Sequence, residues 1–238
     1  MKVHEIIQRV QSLYSKGCQS DDSRLSPRHI YSKLISLRSK YISQQAKKKQ
    51  KINQWNFQTL PCVELIKTDI HNCPCIPPIG CQVLRTKYPL PKPLTDLNRH
   101  LIQSVTSLDG TIIFSEIQWE EVKYKASSKY TATKPDFFIR NGYLYLIGLT
   151  QRMRHLNIIT ITGLWEDPLV SSSFIGKCEE DCTDCEDCTS ALDKDFPIDE
   201  ETVDWIISEA AEKLISYYNQ NKEDLTNDTK DSIVEESK

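Results

Sequence analysis

The chain has 238 residues, 39% hydrophobic and 26% charged, and its net charge of -3 conceals a division: 20 acidic residues against 5 lysines from Cys178 onward, a net of -15, leave 25 basic and 13 acidic residues, or +12, before it. A chain of this length buries a core without covalent staples, no apolar run approaches the roughly 20 residues that span a bilayer, and the opening MKVHEIIQRV lacks the continuous apolar stretch of a secretory signal. Seven glycines leave little for phosphate-cradling loops, and nine cysteines, an odd number, argue against a framework of paired bridges in a chain expected to be made in a cytoplasm, with no membrane partner.

Val3, Ile6, Ile7, Val10, Leu13 and Tyr14 recur at the spacing of one helical face, and Gly17 stands where a left-handed cap belongs. In LSPRHIYSKLISLRSKYISQQAKKKQK, Ser26 is placed to cap a second helix and Pro27 to open it. Ile30, Leu34, Leu37 and Tyr41 form its apolar stripe, and the helix is expected to run past Lys47. Arg28, Lys33, Arg38, Lys40, Lys47, Lys48, Lys49 and Lys51 are eight cations with no acid among them. Such a block is a solvated face, or a contact for a polyanion or an acidic partner.

The middle of the chain reads as β-structure. PCVELIK, CQVLRTKY, HLIQSVTSLDGTIIFSEIQW, DFFIRNGYLYLI and HLNIITITGLWEDP are β-branched or aromatic runs, two of which fold back at Asp109-Gly110 and Asn141-Gly142. PLPKPL, with three prolines, is an extended connection. Near the end, FPIDEETVDWIISEAAEKLISYYNQ is helical again, with Asp199 at the N-cap and a stripe of Val203, Ile206, Ile207, Ala210, Leu214 and Tyr218. The closing NKEDLTNDTKDSIVEESK is expected to be solvated unless a partner orders it. The expected fold is α+β, a helical bundle of N- and C-terminal helices with an inserted antiparallel β-domain. Its parts are 1–57, helical; 58–168, the β-domain; 169–195, an acidic cysteine-rich loop; and 196–238, the last helix and tail.

No local pattern supplies a nucleophile, a base and an orienting group: G-x-S-x-G, the P-loop, G-x-G-x-x-G and H-E-x-x-H are all missing, and the five histidines are scattered. The chain is therefore not expected to be an enzyme. Two cysteine groups remain. Cys178, Cys182, Cys185 and Cys188 fall within eleven residues, with acids at six of the seven intervening positions. Four thiolates so close suit structural zinc, yet the surrounding carboxylates raise thiol pKa values and oppose a net-negative site. The readings are reduced thiols in an acidic loop, a structural zinc site, or a bridge formed on oxidation. Cys73, Cys75 and Cys81 with His71 make a second, weaker zinc candidate in a proline-rich loop.

The segments LSPRHIYSKLISLRSKYISQQAKKKQKINQWNFQTLPCVELIK, YPLPKPLTDLNRHLIQSVTSLDGTIIFSE and NKEDLTNDTKDSIVEESK resemble a neck ring protein of crAss-like bacteriophages, a head-to-tail connector, over nearly the whole chain. The resemblance implies a virion protein assembled in the host cytoplasm as a homo-oligomeric ring, a dodecamer. Its implied partners are the portal protein, other neck and tail ring proteins, and genome DNA passing through the lumen without sequence recognition. It carries no catalytic residues. The rival reading is a metal-stapled cytoplasmic nucleic-acid-binding protein that uses the basic helix at 28–51.

Overall fold

The computed structural model describes residues 1–17, 25–69, 82–96, 99–125, 130–131, 133–148, 155–174 and 191–234, with side chains of the last helix as far as residue 217. Among the described residues the architecture is mixed α/β, five α-helices with a large barrel-like sheet. The chain divides into two compact units, Met1–Tyr41 with Leu192–Lys238, and Ile42–Ala191.

In the first unit, α1 (Val3–Tyr14) packs against α5 (Glu200–Val234) and buries Val3, Ile6, Ile7 and Val10. The amino end is tied to the segment before α5, where Val3 N–H donates to the Lys194 carbonyl at 3.1 Å and Phe196 N–H to that of Met1 at 3.0 Å. α1 closes in a Schellman motif, with Gly17 N–H on the Ser12 carbonyl at 2.9 Å. The left-handed turn expected at Gly17 begins one residue earlier, at Lys16, whose φ is 51°. α2 (Pro27–Lys47) starts as expected, the Ser26 hydroxyl accepting His29 N–H at 3.2 Å, and buries Ile30, Leu34 and Leu37. It stops at Lys47 instead of running on, because Lys49 turns left-handed (φ 54°) and Gln50 N–H reaches the Gln45 carbonyl at 3.1 Å. Clustered like charges at 47–51 disfavour further helix. Asp199 stands at the head of α5 and accepts the Thr202 hydroxyl at 2.6 Å. Val203, Ile206, Ile207, Ala210 and Leu214 are buried. The helix continues through Val234, into the segment expected to be a solvated tail. Once a helix is nucleated each residue adds a hydrogen bond, and neither glycine nor proline interrupts this one.

The second unit is a closed barrel in the order β1-β2-β8-β7-β6-β5-β9, with β9 returning to β1. Its strands are β1 (Gln58–Asp69), β2 (Gln82–Thr86), β5 (Ile102–Ser107), β6 (Ile113–Glu116), β7 (Asp136–Arg140), β8 (Tyr143–Ile147) and β9 (Ile158–Gly163); β3 (Thr95–Asp96) and β4 (Arg99–His100) form a separate ribbon. Both hairpins sit where the turn dipeptides put them. Asn141 and Gly142, at φ 52° and 80°, join Arg140 to its partner Tyr143, and Gly110, at φ 70°, lies in the β5–β6 turn. Pro61 cannot donate to the ladder, and the β1–β9 register shifts between Leu60 and Val63, where Cys62 adopts φ 54°. That bulge lets one long strand bend and pair with both neighbours. Cys62 is also disulfide-bonded, which departs from the expectation of reduced thiols; an odd cysteine count excludes a fully paired framework, not a single bridge.

Leu60, Val105, Leu144, Leu146, Ile159 and Ile161 fill the barrel, and the wholly buried Trp165 donates its Nε1–H to the Gln58 carbonyl at 3.3 Å. PLPKPL is extended as expected, with Leu94 N–H on the Leu164 carbonyl at 2.8 Å. α4 (Pro168–Ser172), capped by Asp167, holds Gln58 through the Ser171 hydroxyl at 2.8 Å. The sheet is not purely antiparallel: β6 and β7 run parallel, and the crossover that parallel pairing requires carries α3 (Trp119–Lys125), a stretch beginning at the end of the expected strand run, for which no helix was expected.

α3 covers a second core on the outer face of the sheet, with Val122 and Trp119 over Phe138, Tyr145, Val83 and Ile147. Lys125, in the last turn, is buried and its ammonium donates to Asp136 and to the Lys134 carbonyl. Burial pushes its pKa down, against the pull of Asp136. Gly148, at φ 72°, closes the site from the other side, since a Cβ there would lie 2.0 Å from the Lys134 oxygen and 2.9 Å from the Lys125 Nζ.

Candidate functional site

The basic block is presented unevenly. Arg28, Lys40, Lys47, Lys48, Lys49 and Lys51 are exposed and Lys33 is half-buried. Arg38 is the exception, wholly buried, with Nε donating to the Pro197 carbonyl at 3.1 Å. Its position on the stripe side of α2, one residue after Leu37, turns it inward. Lys33 and Lys40 add their field to Glu209, whose carboxyl is held below its ordinary range chiefly by a hydrogen bond from Lys213. Among the described residues, Lys47, Lys48, Lys49 and Lys51 have no carboxylate within ion-pair distance.

Directly after the lysines comes a feature that the sequence reading did not single out. Residues Gln54–Asn56 form one 3-10 turn, capped by the Asn53 side chain on Trp55 N–H at 3.3 Å, and Trp55 is 70% exposed. A tryptophan two residues after an asparagine is an ordinary turn in sequence terms; its exposure becomes visible only once Asn56 is seen to take the buried position.

The opposite charge lies on α5, which exposes Glu200, Glu201, Asp204 and Glu212 beside Trp205 and Tyr217. Between α1 and α5 runs a groove of about 750 Å³, with Leu13 and Ile207 beneath and Glu5, Arg9 and Asp204 at its rim. Arg9 and Asp204 face each other across it at 3.5 Å. Leu13, expected to complete the stripe of α1, is instead 49% exposed there.

Catalytic geometry is not assembled from the described histidines. His100 Nδ1 and Glu116 share a hydrogen bond at 2.9 Å, His4 Nδ1 lies 3.2 Å from an Asp193 carboxylate oxygen without hydrogen-bond geometry, and His29 and His155 are exposed. Ser107 and Asp109 share a cavity with His155, but the Ser107 hydroxyl donates to Asp109 and accepts Ile112 N–H at 3.0 Å. These contacts lock the hairpin turn and lower the Asp109 pKa, chiefly through the Ser107 hydrogen bond. Cys178, Cys182, Cys185 and Cys188, and the second group of His71, Cys73, Cys75 and Cys81, lie outside the described residues; among the described residues no cluster of metal ligands is present. Nor is any described helix long and apolar enough to cross a membrane.

Against known proteins, a family model described as phage tail ring protein 2 matches residues 5–233. No curated protein matches the chain.

Proposed function

The chain belongs to this family of crAss-like phage ring proteins, and from that premise we propose that it is a non-enzymatic virion protein of the head-to-tail connector. In this reading it forms a homo-oligomeric ring of twelve copies that docks on the portal and extends the DNA channel toward the tail. The terminal helices act as a bundle that carries the ring contacts, and the barrel is its inserted domain. The observation that carries the proposal is the match over nearly the whole chain, since a family so matched shares its architecture as well as a motif.

The charge distribution supports it. A ring closes through heterologous contacts, in which one surface of a copy meets a different surface of the next. A subunit with uncompensated lysines after α2 and exposed acids on α5 offers such a pair, steering association by charge. DNA in transit through the lumen needs no base-specific contact, and phosphate attraction to exposed lysines is independent of sequence.

Mass spectrometry of purified virions, with stoichiometry measured against the portal protein, tests the reading. The expected result is a virion component in simple ratio to portal. Absence from virions, together with a small protein that binds duplex DNA with steep salt dependence, would replace this reading with the nucleic-acid-binding one.

A further inference from the structure

Trp55 stands apart from the other three tryptophans. Trp119 packs on Phe138 with ring centroids 5.2 Å apart, Trp165 is buried and hydrogen-bonded, and Trp205 lies 5.7 Å from Tyr41. Trp55 has no ring or hydrogen-bond partner for its indole among the described residues and is 70% exposed. It is not carried on a slack loop. Asn53 caps the turn, Phe57 N–H donates to the Gln54 carbonyl at 3.1 Å, and the neighbouring Asn56 is only 2% exposed. The backbone therefore holds the indole outward before any partner arrives, and four unpaired lysines lie just upstream. A rigid, presented aromatic a few residues after a run of cations is the composition of an interface anchor.

The same chain carries a surface that complements it. The α1–α5 groove has an apolar floor at Leu13 and Ile207 and an acidic rim at Glu5 and Asp204, with Glu201 and Glu212 exposed further along α5. The exposed Arg9–Asp204 pair that spans the groove at 3.5 Å contributes little and opens on insertion, Arg9 turning its guanidinium to the face of the indole and Asp204 to the incoming lysines. We propose that Trp55 of one copy inserts into the α1–α5 groove of a neighbouring copy, while Lys47, Lys48, Lys49 and Lys51 meet its acidic rim. Knob and groove are different surfaces, so the contact is head-to-tail and propagates around a ring. The proposal rests on the ring reading and names the contact that closes it.

Assembly of the full chain is followed by mass photometry and negative-stain microscopy across a concentration series, with circular dichroism to check folding. Both test positions are exposed, so the variants are expected to fold. Trp55→Ala removes the knob and should raise the half-assembly concentration about thirtyfold, equivalent to about 2 kcal/mol. Ser208→Trp fills the groove and should do the same. An equimolar mixture of the two restores one intact knob and one intact groove per pair, and should yield dimers that neither variant forms alone. Wild-type rings with an unmoved Trp55→Ala midpoint, or a mixture without dimers, would overturn the proposal while leaving the ring reading in place. Unmoved rings combined with lost affinity for a labelled DNA duplex would assign Trp55 to nucleic acid instead. A wild-type chain that stays monomeric at every concentration fails the ring reading and takes this contact with it.

Discussion

The Lys125–Asp136 pair gives a sharp test of what holds α3 to the barrel. Both side chains are buried, and Asp136 Oδ1 has no hydrogen-bond partner among the described residues. Asp136→Leu strands an ammonium whose remaining acceptor is the Lys134 carbonyl; Lys125→Met strands a carboxylate that is already under-satisfied. Breaking a buried pair in this way costs about 3–5 kcal/mol, whereas replacing both partners by apolar groups is neutral or stabilising by about 1–4 kcal/mol. The double variant Lys125→Met/Asp136→Leu should therefore melt at or above the wild-type temperature. Each single variant should fall by about 6–20 °C, at about 2–4 °C per kcal/mol for a chain of this length. Near-UV circular dichroism, which reports the packing of Trp119 and Tyr145, follows the melt. If the double variant lost the sum of the two single losses, the groups would not be coupled, and the pair would not be what anchors α3.

The same lysine fixes a pH dependence with a definite sign. Burial, ahead of the Asp136 hydrogen bond, lowers the folded pKa of Lys125 below the ordinary 10.5. Between the two values the unfolded chain binds more protons than the folded one, so this contribution rises with pH across that window and is lost as pH falls through the folded pKa. Lys87, raised by its bond to Glu64, contributes in the opposite sense as pH climbs past 10.5. The measurement is accordingly the difference in stability between wild type and Lys125→Met. That difference should change in favour of wild type toward alkaline pH, and a flat difference would refute the lowered pKa.

Gly148→Ala should destabilise the protein by more than about 2 kcal/mol in a denaturant melt, because left-handed strain adds to a backbone clash; Gly110→Ala, with open space around its Cβ position, should lose only about 1 kcal/mol. Lys16→Gly should gain about 1 kcal/mol by removing the strained left-handed residue that closes α1, and a loss would refute that account. Reversing Lys47, Lys48, Lys49 and Lys51 to Glu should slow assembly, followed by light scattering at low salt, while a single reversal is nearly silent at about 0–1 kcal/mol. An unchanged rate would move that segment away from the subunit contact. Any metal held by Cys178, Cys182, Cys185 and Cys188 is predicted to be structural zinc whose removal leaves the fold intact; less than about a tenth of an equivalent in elemental analysis, with thiols kept reduced, removes the site.

What could be read from the sequence follows the range of the interactions involved. The stripes of α1, α2 and α5 and the turns at Gly110 and Gly142 are set by residues within a few positions of one another, and apart from the exposed Leu13 at the end of α1 their buried positions stand where periodicity and turn chemistry place them. Closure of the sheet was not legible, because the β1–β9 and β2–β8 pairings join segments far apart in the chain. The α3 crossover did leave a local trace, with Glu120 and Glu121 opening and Lys123 and Lys125 closing about two turns of helix. It was masked by the β-like run of isoleucines and Phe114 just before it.

The candidate surface divides along the same line. Cationic density between Arg28 and Lys51 is a property of composition and needs no fold, but which cations face outward depends on helical phase. Arg38 follows Leu37 on the inner side of α2 and finds the Pro197 carbonyl, 159 residues away, so a charge that looked available is committed within its own unit. Trp55 is the converse. In KINQWNF no local pattern distinguishes an inward from an outward position, and the capped turn gives the inner one to Asn56 and the outer one to the tryptophan. Burying an amide beside an exposed indole reverses the usual transfer preference of both side chains. A capped turn that fixes the indole outward presents it to a partner without further ordering, and in the proposed ring that partner is the next copy.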